Sequence, residues 1–341
     1  MADAAHHQTD AAGGHAGDES SAGDERAGDE RARDERDGIS FSHLGEPLFD
    51  GSGASKRDLV NYLDAVAERL VPVLADRPLS VVRAHAGQEP FMQKNVPKYT
   101  PGWVATVRMW AEASKRDVSY ALCNDRRTLL WFANQRAVEY HPALMRTEHP
   151  ELATHLVLDL DPPGADAFAA AVEVAGLVRQ ALAEAGLDGA VKTSGAKGVH
   201  VFVPLAGASL GDAAAATRAL AARAAALGPQ IATTAFMKDQ RDGKVFVDAT
   251  RAAGATVIAA YSPRVRPGVP VSFPLSWSEL GSVRPGELTV HTAIERLGNA
   301  DPWVANMPAP QVLSPELVAE GNAIPAPRGQ ALQRGRKSGD Q

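Results

Sequence analysis

The segment HLVLDLDPP, residues 155–163, decides the fold of this chain. Its apolar residues predict a strand that is buried on both faces, as in sheets covered by helices. Residues two apart on a strand point to the same side, so Asp159 and Asp161 present their carboxylates together. Because proline cannot donate to a sheet ladder, we expect both acids at the strand's end, where a ligand can reach them.

Paired carboxylates of this kind repel each other unless a cation lies beside them, and oxygen ligands suit Mg²⁺ or Mn²⁺. The alternative is a strand that merely ends at an Asp-Pro turn, and the dipeptide pattern alone leaves both interpretations open. A third acid, Asp248, ends another short apolar run, KVFVD, at residues 244–248.

The segment AVKTSGAKGVHVFVP, residues 190–204, predicts a strand, a tight turn and a second strand. Backbone N–H groups of the turn, with Ser194, Lys192 and Lys197, favour phosphate oxygens, although the spacing is not that of a P-loop. A lone histidine is more often structural, but the position of His200 beside the turn favours a phosphate or nucleotide contact. Three strand-end acids and this turn together favour metal-assisted phosphoryl or nucleotidyl transfer.

These segments, followed by AAYSPRVRPGVPVSFPLSW, resemble in order the polymerase domain of bacterial DNA ligase D. That domain belongs to the archaeo-eukaryotic primase superfamily. Upstream, RPLSVVRAHAGQEPFMQKNVP and LCNDRRTLLWFANQRAVEYHP are similar too, so the resemblance covers about residues 40–305.

The resemblance implies an α/β fold of the α+β kind: a primase-polymerase fold with an RRM-like catalytic sheet and an adjoining subdomain. It implies a DNA-dependent nucleotidyltransferase that extends primers and fills short gaps during end joining, favouring ribonucleotides. The expected ligands of two Mn²⁺ or Mg²⁺ ions are Asp159, Asp161 and Asp248. The expected nucleotide contacts are Lys192, Ser194, Lys197, His200, Arg264, His141, Phe91 and Met92.

The chain departs from the family pattern at three places. Glu46 stands where the family usually has a lysine that holds a downstream 5′-phosphate, whereas a second such lysine is kept as Lys56. Met92 follows Phe91 where two phenylalanines are common, and methionine offers no π-face. Arg251 precedes an alanine where the family often has Gln-Asn or Arg-Asn. We therefore expect weak anchoring of a 5′-phosphate and an altered nucleotide preference, with the metal ligands intact.

The net charge of −6 is carried by the N-terminus. Residues 1–37 contain 11 acids and four arginines, which leaves 30 acids and 31 bases, or about +1, for the remainder. DNA binding must therefore come from local basic patches. Any such patch is more often a solvated face, but several surround the acids. The expected DNA contacts are Lys56, Lys94, Lys98, Lys238, Arg241 and Lys244.

The predicted domains are a disordered acidic tail at 1–38, a ligase D-like primase-polymerase domain at 39–305, and a C-terminal extension with a basic tail at 306–341. Cys123 is the single cysteine, which excludes an internal disulfide and fits a reducing compartment. With the resemblance, this implies a cytoplasmic, nucleoid-associated bacterial protein. The sequence lacks a membrane-length apolar run and a secretion signal. It also lacks the Lys-x-Asp-Gly lysine of a ligase, so we expect a stand-alone polymerase with a separate DNA ligase and a Ku-type end-binding protein.

Apolar spacing predicts the secondary structure around the site. The predicted helices are 56–71, 127–140, 165–186, 210–228 and a short one at 276–280. The predicted strands beyond those of the site are 79–84, 104–110, 118–123 and 256–261.

Two other classes of function are weighed against polymerase activity. A haloacid-dehalogenase-like phosphatase also places Asp-x-Asp after a strand, but it expects Thr or Val where Pro163 stands, and it leaves the Ser-Gly-x-Lys-Gly-x-His turn unexplained. A non-catalytic module that bridges DNA ends or recruits a ligase is favoured mildly by Glu46 and Met92. Retention of three acids argues against it, because an unused carboxylate cluster is costly to keep folded.

Overall fold

The computed structural model of the protein describes residues 35–111, 115–251 and 255–326. They belong to two compact units, Met1–Ser42 and His43–Gln341. In the first unit, strands β1 (Glu35–Arg36) and β2 (Ile39–Ser40) form an antiparallel hairpin. Residues 35–38 of the predicted tail lie in this hairpin, and residues 1–34 lie outside the described part.

The second unit combines helices with two sheets. Its helices are α1 (Lys56–Ala65), α2 (Ala67–Leu74), α3 (Arg126–Asn134), α4 (Phe168–Glu184), α5 (Leu210–Leu227), α6 (Ala293–Leu297), α7 (Pro302–Asn306) and α8 (Pro315–Ala323). Its strands are β3 (Leu79–Arg83), β4 (Phe91–Gln93), β5 (Thr106–Ala111), β6 (Arg116–Ala121), β7 (Ala137–Pro142), β8 (His155–Asp161), β9 (Ala190–Thr193), β10 (Val199–Pro204), β11 (Ala232–Thr233), β12 (Val245–Asp248) and β13 (Pro274–Leu275). No helix in the described part of the chain is long and apolar enough to cross a membrane.

The larger sheet has six strands in the order β11-β12-β8-β10-β9-β13. Its central strand, β8, is the predicted buried strand, and Leu156, Leu158 and Leu160 are fully buried on one face. Helices α4 and α5 pack on this sheet. The alternation of side chains along a strand sends Asp159 and Asp161 to the opposite face. The helices therefore cover one face of the sheet, and the acids lie on the other.

Alanine lets α5 approach its neighbours closely. Ala216, Ala219 and Leu220 are wholly buried within it, and Ser209 caps its first turn by accepting from the Asp212 N–H. Helix α8, from the predicted C-terminal extension, packs against α5, and Gly321 lies against the α5 backbone. Residues 306–326 thus add a helix to the body of the protein, and residues 327–341 lie outside the described part.

The smaller sheet has the strand order β4-β3-β6-β5, and β7 pairs with β3. Strands β3, β5 and β6 confirm the predicted strands within two residues at each end. Strand β7 also lies beside the segment that follows β12, because the Tyr140 N–H donates to Ser262 Oγ at 2.9 Å. This contact brings Glu139 and His141 of β7 towards the larger sheet.

The predicted helix at 127–140 is wrong in its second half. Helix α3 ends at Asn134, and Arg136 takes a left-handed φ of 59°. The guanidinium of Arg136 donates to the carbonyls of Pro47 and Leu48, which holds the reversal. Strand β7 follows because its β-branched and aromatic residues pair with β3, and this tertiary pairing overrides the helical spacing.

Other boundaries differ for local reasons. The predicted helix at 56–71 is two helices that meet at Val66, and Pro72 lies inside α2, where buried Leu70 and Leu74 hold the last turn. Residues 256–261 run beside β7 with one isolated bridge and no regular strand, because Tyr261 turns the chain with a φ of 68°. The predicted helix at 276–280 is a turn followed by the 3-10 helix Leu280–Ser282. The predicted helices at 165–186 and 210–228 are confirmed as α4 and α5, with a 3-10 turn before α4.

Candidate active site

A row of polar residues crosses the open face of the larger sheet. In the strand pairing, Lys192 of β9 is opposite His200 of β10, and His200 is opposite Asp159 of β8. Asp159 is in turn opposite Asp248 of β12. Opposite residues share a face, with Cβ atoms about 5 Å apart. Asp161, two residues beyond Asp159, joins the same face, so the sheet brings the three predicted acids together.

Hydrogen bonds connect the members of this row. The ammonium of Lys192 donates to Ser272 Oγ at 2.5 Å and to His200 Nδ1 at 2.9 Å. His200 Nε2 lies 3.2 Å from Asp159 Oδ1 and donates to it in the tautomer that these partners impose. Ser272 was not predicted from the sequence. Lys192 is wholly buried, so its ammonium positions His200, and its predicted nucleotide contact stays a prediction.

Burial lowers the pKa of the two basic members. Burial, followed by the charge of Lys192, lowers the pKa of His200 to about 4, so the ring is neutral near pH 7. Burial, followed by the charge of Arg264, lowers the pKa of Lys192 well below its ordinary value. A neutral imidazole can donate to only one partner, and here that partner is Asp159.

The pKa values of the two acids of β8 shift in opposite directions. Burial favours the protonated form of Asp159, but His200 and then Arg251 reverse the effect and lower its pKa to about 2. Burial, and next the charge of Asp159, raise the pKa of Asp161. Like charges held close together produce this kind of difference, and a shared cation relieves it.

The turn at residues 194–198 folds over the end of β8. Gly195 has a φ of 68°, and a Cβ on Gly198 would collide with the Leu160 carbonyl, so both positions require glycine. Ser194 Oγ accepts the N–H groups of Ala196 and Gly198, at 3.2 and 3.0 Å. The Ser194 hydroxyl can therefore still donate its own proton in a hydrogen bond.

Glu139 is a central residue that the sequence did not reveal. Its Oε1 accepts from Arg264 Nε at 3.0 Å and from the Val265 N–H at 2.9 Å, and His141 Nε2 donates to its Oε2 at 2.8 Å. Arg264 also donates to the Ser194 carbonyl at 2.9 Å. Burial alone would raise the pKa of Glu139, but the His141 hydrogen bond and Arg264 lower it to about 2. Alternation along VEYH, read as a strand, would have placed Glu139 beside His141.

Several of these groups line a cavity of about 500 Å³, a size typical of small-ligand sites. Among the residues predicted to bind metal or nucleotide, the following line the cavity: His141, Asp159, Asp161, Ser194, Lys197, His200 and Arg264. The Lys197 ammonium donates to the Pro162 carbonyl at 2.5 Å and so lies at the end of β8. Phe91 and Met92 lie instead on β4, where about half of each side chain is exposed. The structure thus gathers most of the predicted nucleotide contacts in one cavity.

The amino-acid sequence of this chain is similar to those of known proteins. Residues 55–303 match the family described as "LigD, primase-polymerase domain". The chain belongs to the LigD primase-polymerase family. It is 31% identical to the bifunctional non-homologous end joining protein LigD of Bacillus subtilis (strain 168), over 76% of this chain and 42% of that protein. It is 29% identical to the multifunctional LigD of Mycolicibacterium smegmatis, over 82% of this chain and 37% of that protein. The chain therefore spans less than half the length of these relatives.

A solved structure gives the same result for the fold. The polymerase domain of Mycobacterium tuberculosis ligase D, solved in complex with DNA, superimposes with a TM-score of 0.71 at 30% identity. The match covers 79% of this chain and 99% of that chain. Both the predicted resemblance and the predicted α+β fold are confirmed.

The basic residues predicted to contact DNA are dispersed over the LigD-like body. Lys94, Lys98 and Lys238 are exposed. Arg241 stacks on the Phe246 ring, 3.8 Å from its centroid, and donates to nearby backbone carbonyls. Lys244, in the loop that connects β11 to β12, is half-buried. Their role in binding DNA stays a prediction.

Lys56, the sixth of these residues, lies in an interior position. Only 3% of it is exposed, and its ammonium donates to Asn134 Oδ1 at 2.7 Å. Burial, and next the charge of Arg136, lower the pKa of Lys56 to about 8. Glu46, from which the weak anchoring of a 5′-phosphate was expected, accepts from Arg136 Nη2 at 2.6 Å. Both features agree with the expected weak anchoring of a 5′-phosphate, which stays a prediction.

The three aspartates fit a divalent metal in kind. They supply carboxylate oxygens from one face of the sheet, and Asp159 and Asp248 are at most 9% exposed. As they stand, the described residues include no group of three or more His, Cys, Asp or Glu side chains that could hold a metal ion. Arg251 lies between two of these acids, with its Nε 3.4 Å from Asp159 Oδ2 and 3.6 Å from Asp248 Oδ2.

Proposed function

We propose that this protein is a DNA-dependent nucleotidyltransferase, a primase-polymerase that extends primers and fills short gaps during end-joining repair of DNA double-strand breaks. The observation that carries the proposal is the cross-strand row of Lys192, His200, Asp159 and Asp248. His200 and Asp159 of this row line a cavity to which Lys197, Arg251, Arg264 and Arg266 add positive charge. Membership of the LigD primase-polymerase family supports the same reaction class.

The cavity walls suit a nucleoside triphosphate. The guanidinium of Arg264 is held in place by Glu139 and the Ser194 carbonyl, so it would meet a phosphate with little loss of side-chain entropy. Lys197 lies at the mouth of the turn, and the Ser194 hydroxyl is oriented to donate. His141, held by Glu139, would contact the nucleotide sugar.

Asp159, Asp161 and Asp248 would hold two Mn²⁺ or Mg²⁺ ions. When bound, such ions lower the pKa of an attacking hydroxyl and stabilise the charge on the departing pyrophosphate. The protein's own part is to keep the acids ionised and oriented. His200 does so for Asp159, because its Nε2–H donates to Oδ1, and buried Lys192 fixes the imidazole in that tautomer.

Substrate preference and partners form the finer part of the proposal. We propose that ribonucleotides are favoured, and that a DNA ligase and a Ku-type end-binding protein complete repair of the same break. Weak 5′-phosphate anchoring follows from the Glu46–Arg136 ion pair, because a carboxylate already occupies that guanidinium. A gap with a 5′-hydroxyl should therefore be filled about as well as one with a 5′-phosphate.

Primer extension on a short-gap duplex tests the proposal, with Mn²⁺ or Mg²⁺ and with rNTPs or dNTPs in parallel. Asp159→Ala should abolish metal-dependent extension while the fold and DNA binding persist, because one ligand of the ions is lost. Glu148→Ala is the matched control, since that acid is 82% exposed on its side chain and should leave activity unchanged.

Two outcomes would contradict the proposal. Full extension by Asp159→Ala would remove the aspartates from the reaction. A wild-type protein that binds DNA but extends no primer under any of these conditions would instead be a non-catalytic module that bridges DNA ends or recruits a ligase.

A further inference from the structure

Arg251 lies where two of the acids converge. It follows β12 by three residues, and its Nε lies 3.4 Å from Asp159 Oδ2 and 3.6 Å from Asp248 Oδ2. One guanidinium thus bridges carboxylates from two neighbouring strands.

The other cations near the cavity have different partners. Lys197 donates to the Pro162 carbonyl, and Arg264 donates to Glu139 and the Ser194 carbonyl. Lys192 donates to His200 and Ser272. Within residues 35–111, 115–251 and 255–326, Arg251 is therefore the cavity cation whose ion pairs join Asp159 to Asp248.

Its contacts are those of a cation that can leave. Both separations exceed the 2.7–2.9 Å that is typical of a tight charged hydrogen bond. The side chain of Arg251 is 46% exposed and also lines the cavity, so it has space into which it can rotate. By contrast, the Thr250 N–H donates to Asp248 Oδ1 at 2.7 Å, which fixes the carboxylate while the arginine remains free to move.

We propose that Arg251 is an internal counter-ion that stands in for a divalent metal between Asp159 and Asp248 and must be displaced before a metal ion binds there. The inference rests on the proposed function, because it takes these acids to be metal ligands. In the metal-free protein the guanidinium offsets the repulsion between the acids. Metal binding then competes with the ion pairs, so the apparent affinity for the ion is lower than the acids alone would give.

The test is Mn²⁺ binding without nucleotide or DNA, followed by electron paramagnetic resonance of the free ion. The Arg251→Gln variant should bind Mn²⁺ on the order of tenfold more tightly than wild type, the usual size of coupling between two linked sites. Arg251→Lys keeps the positive charge and should stay close to wild type. Arg266→Gln is the matched control, because Arg266 lines the same cavity, and among the described residues it has no ion pair with the acids.

Thermal unfolding of the metal-free proteins supplies a second measurement. Arg251→Gln should unfold at a lower temperature than wild type, because the buried carboxylates lose their counter-ion, and added Mn²⁺ should restore more than it adds to wild type. A structural role alone would lower stability without tightening Mn²⁺ binding.

The outcomes separate this inference from the proposed function. If wild type binds Mn²⁺ and Arg251→Gln binds it equally or more weakly, the counter-ion role is wrong and the metal site stands. If neither protein binds Mn²⁺, or if Asp159→Ala binds as wild type does, the metal site fails, and the counter-ion role fails with it.

Discussion

Replacing Glu139 with glutamine should destabilise the protein and loosen one wall of its cavity. The carboxylate holds three donors: Arg264 Nε, the Val265 N–H and His141 Nε2, all within 3.0 Å. Glutamine keeps the shape and one accepting oxygen, but its amide nitrogen cannot accept and it carries no charge. The one amide oxygen can serve either Arg264 and Val265 or His141, so at least one donor loses its acceptor, and Arg264 loses its charged partner.

The size of the effect follows from the pKa of Glu139. Its side chain is 10% exposed, so solvent screens its interactions only weakly. The pKa falls from an ordinary 4.5 to about 2, and each tenfold change in proton affinity is worth about 1.4 kcal/mol, so ionisation contributes about 3 kcal/mol at neutral pH. Because glutamine retains part of the hydrogen bonding, we expect Glu139→Gln to lose roughly 2–3 kcal/mol of unfolding free energy.

The stabilisation that ionised Glu139 provides depends on pH. The folded-state pKa lies below the unfolded one, so the contribution is complete above about pH 4.5 and is lost as the pH falls towards 2. Urea unfolding should therefore show a constant difference between wild type and Glu139→Gln at neutral pH, and a narrowing one under acid conditions. Glu148→Gln, at an 82% exposed side chain, should show no difference. Equal stabilities at neutral pH, or a difference that grows on acidification, would refute the reasoning.

Two other substitutions test the turn and the cationic wall. Gly198→Ala should lower the free energy of unfolding in urea by about 1–3 kcal/mol, because the added Cβ meets the Leu160 carbonyl. The control Gly176→Ala places its Cβ in open space on α4 and should be neutral or stabilising. Equal effects of the two substitutions would show that the turn can shift to accommodate a side chain. Arg264→Ala should raise the nucleotide KM about 10- to 100-fold, as loss of a charged hydrogen bond would, with a smaller change in kcat. An unchanged KM would reject the role of Arg264 in binding triphosphate.

The local features of the site could be predicted from the sequence. Apolar runs that end in acids predicted β8 and β12, and the Ser-Gly-x-Lys-Gly-x-His pattern predicted the turn between β9 and β10. These signals are short-range, because a strand, its exit and a tight turn depend on neighbouring residues. The resemblance carried by those segments then predicted the fold that the comparison with the Mycobacterium tuberculosis polymerase domain confirmed.

The partners of each group depended on strand register, which the sequence alone did not specify. Lys192 was expected to contact phosphate, which stays a prediction; the pairing of β9 with β10 puts it opposite His200 and inside the protein, a placement that the sequence did not indicate. Glu139 was hidden in a predicted helix, because the reversal at Arg136 is fixed by carbonyls about ninety residues earlier in the chain. Register and long-range hydrogen bonds therefore decided which residues act on which.

The charges of the site nearly cancel, and this balance suits the proposed reaction. Three aspartates and Glu139 are opposed by Lys197, Arg251, Arg264 and Arg266, and burial lowers the pKa of Lys192. Two divalent ions and a triphosphate with four negative charges would also sum to zero, so they could enter together without leaving a net charge in a partly buried cavity. Either one alone would leave unbalanced charge, which is costly at low dielectric. We therefore expect metal and nucleotide to bind together more favourably than either would alone.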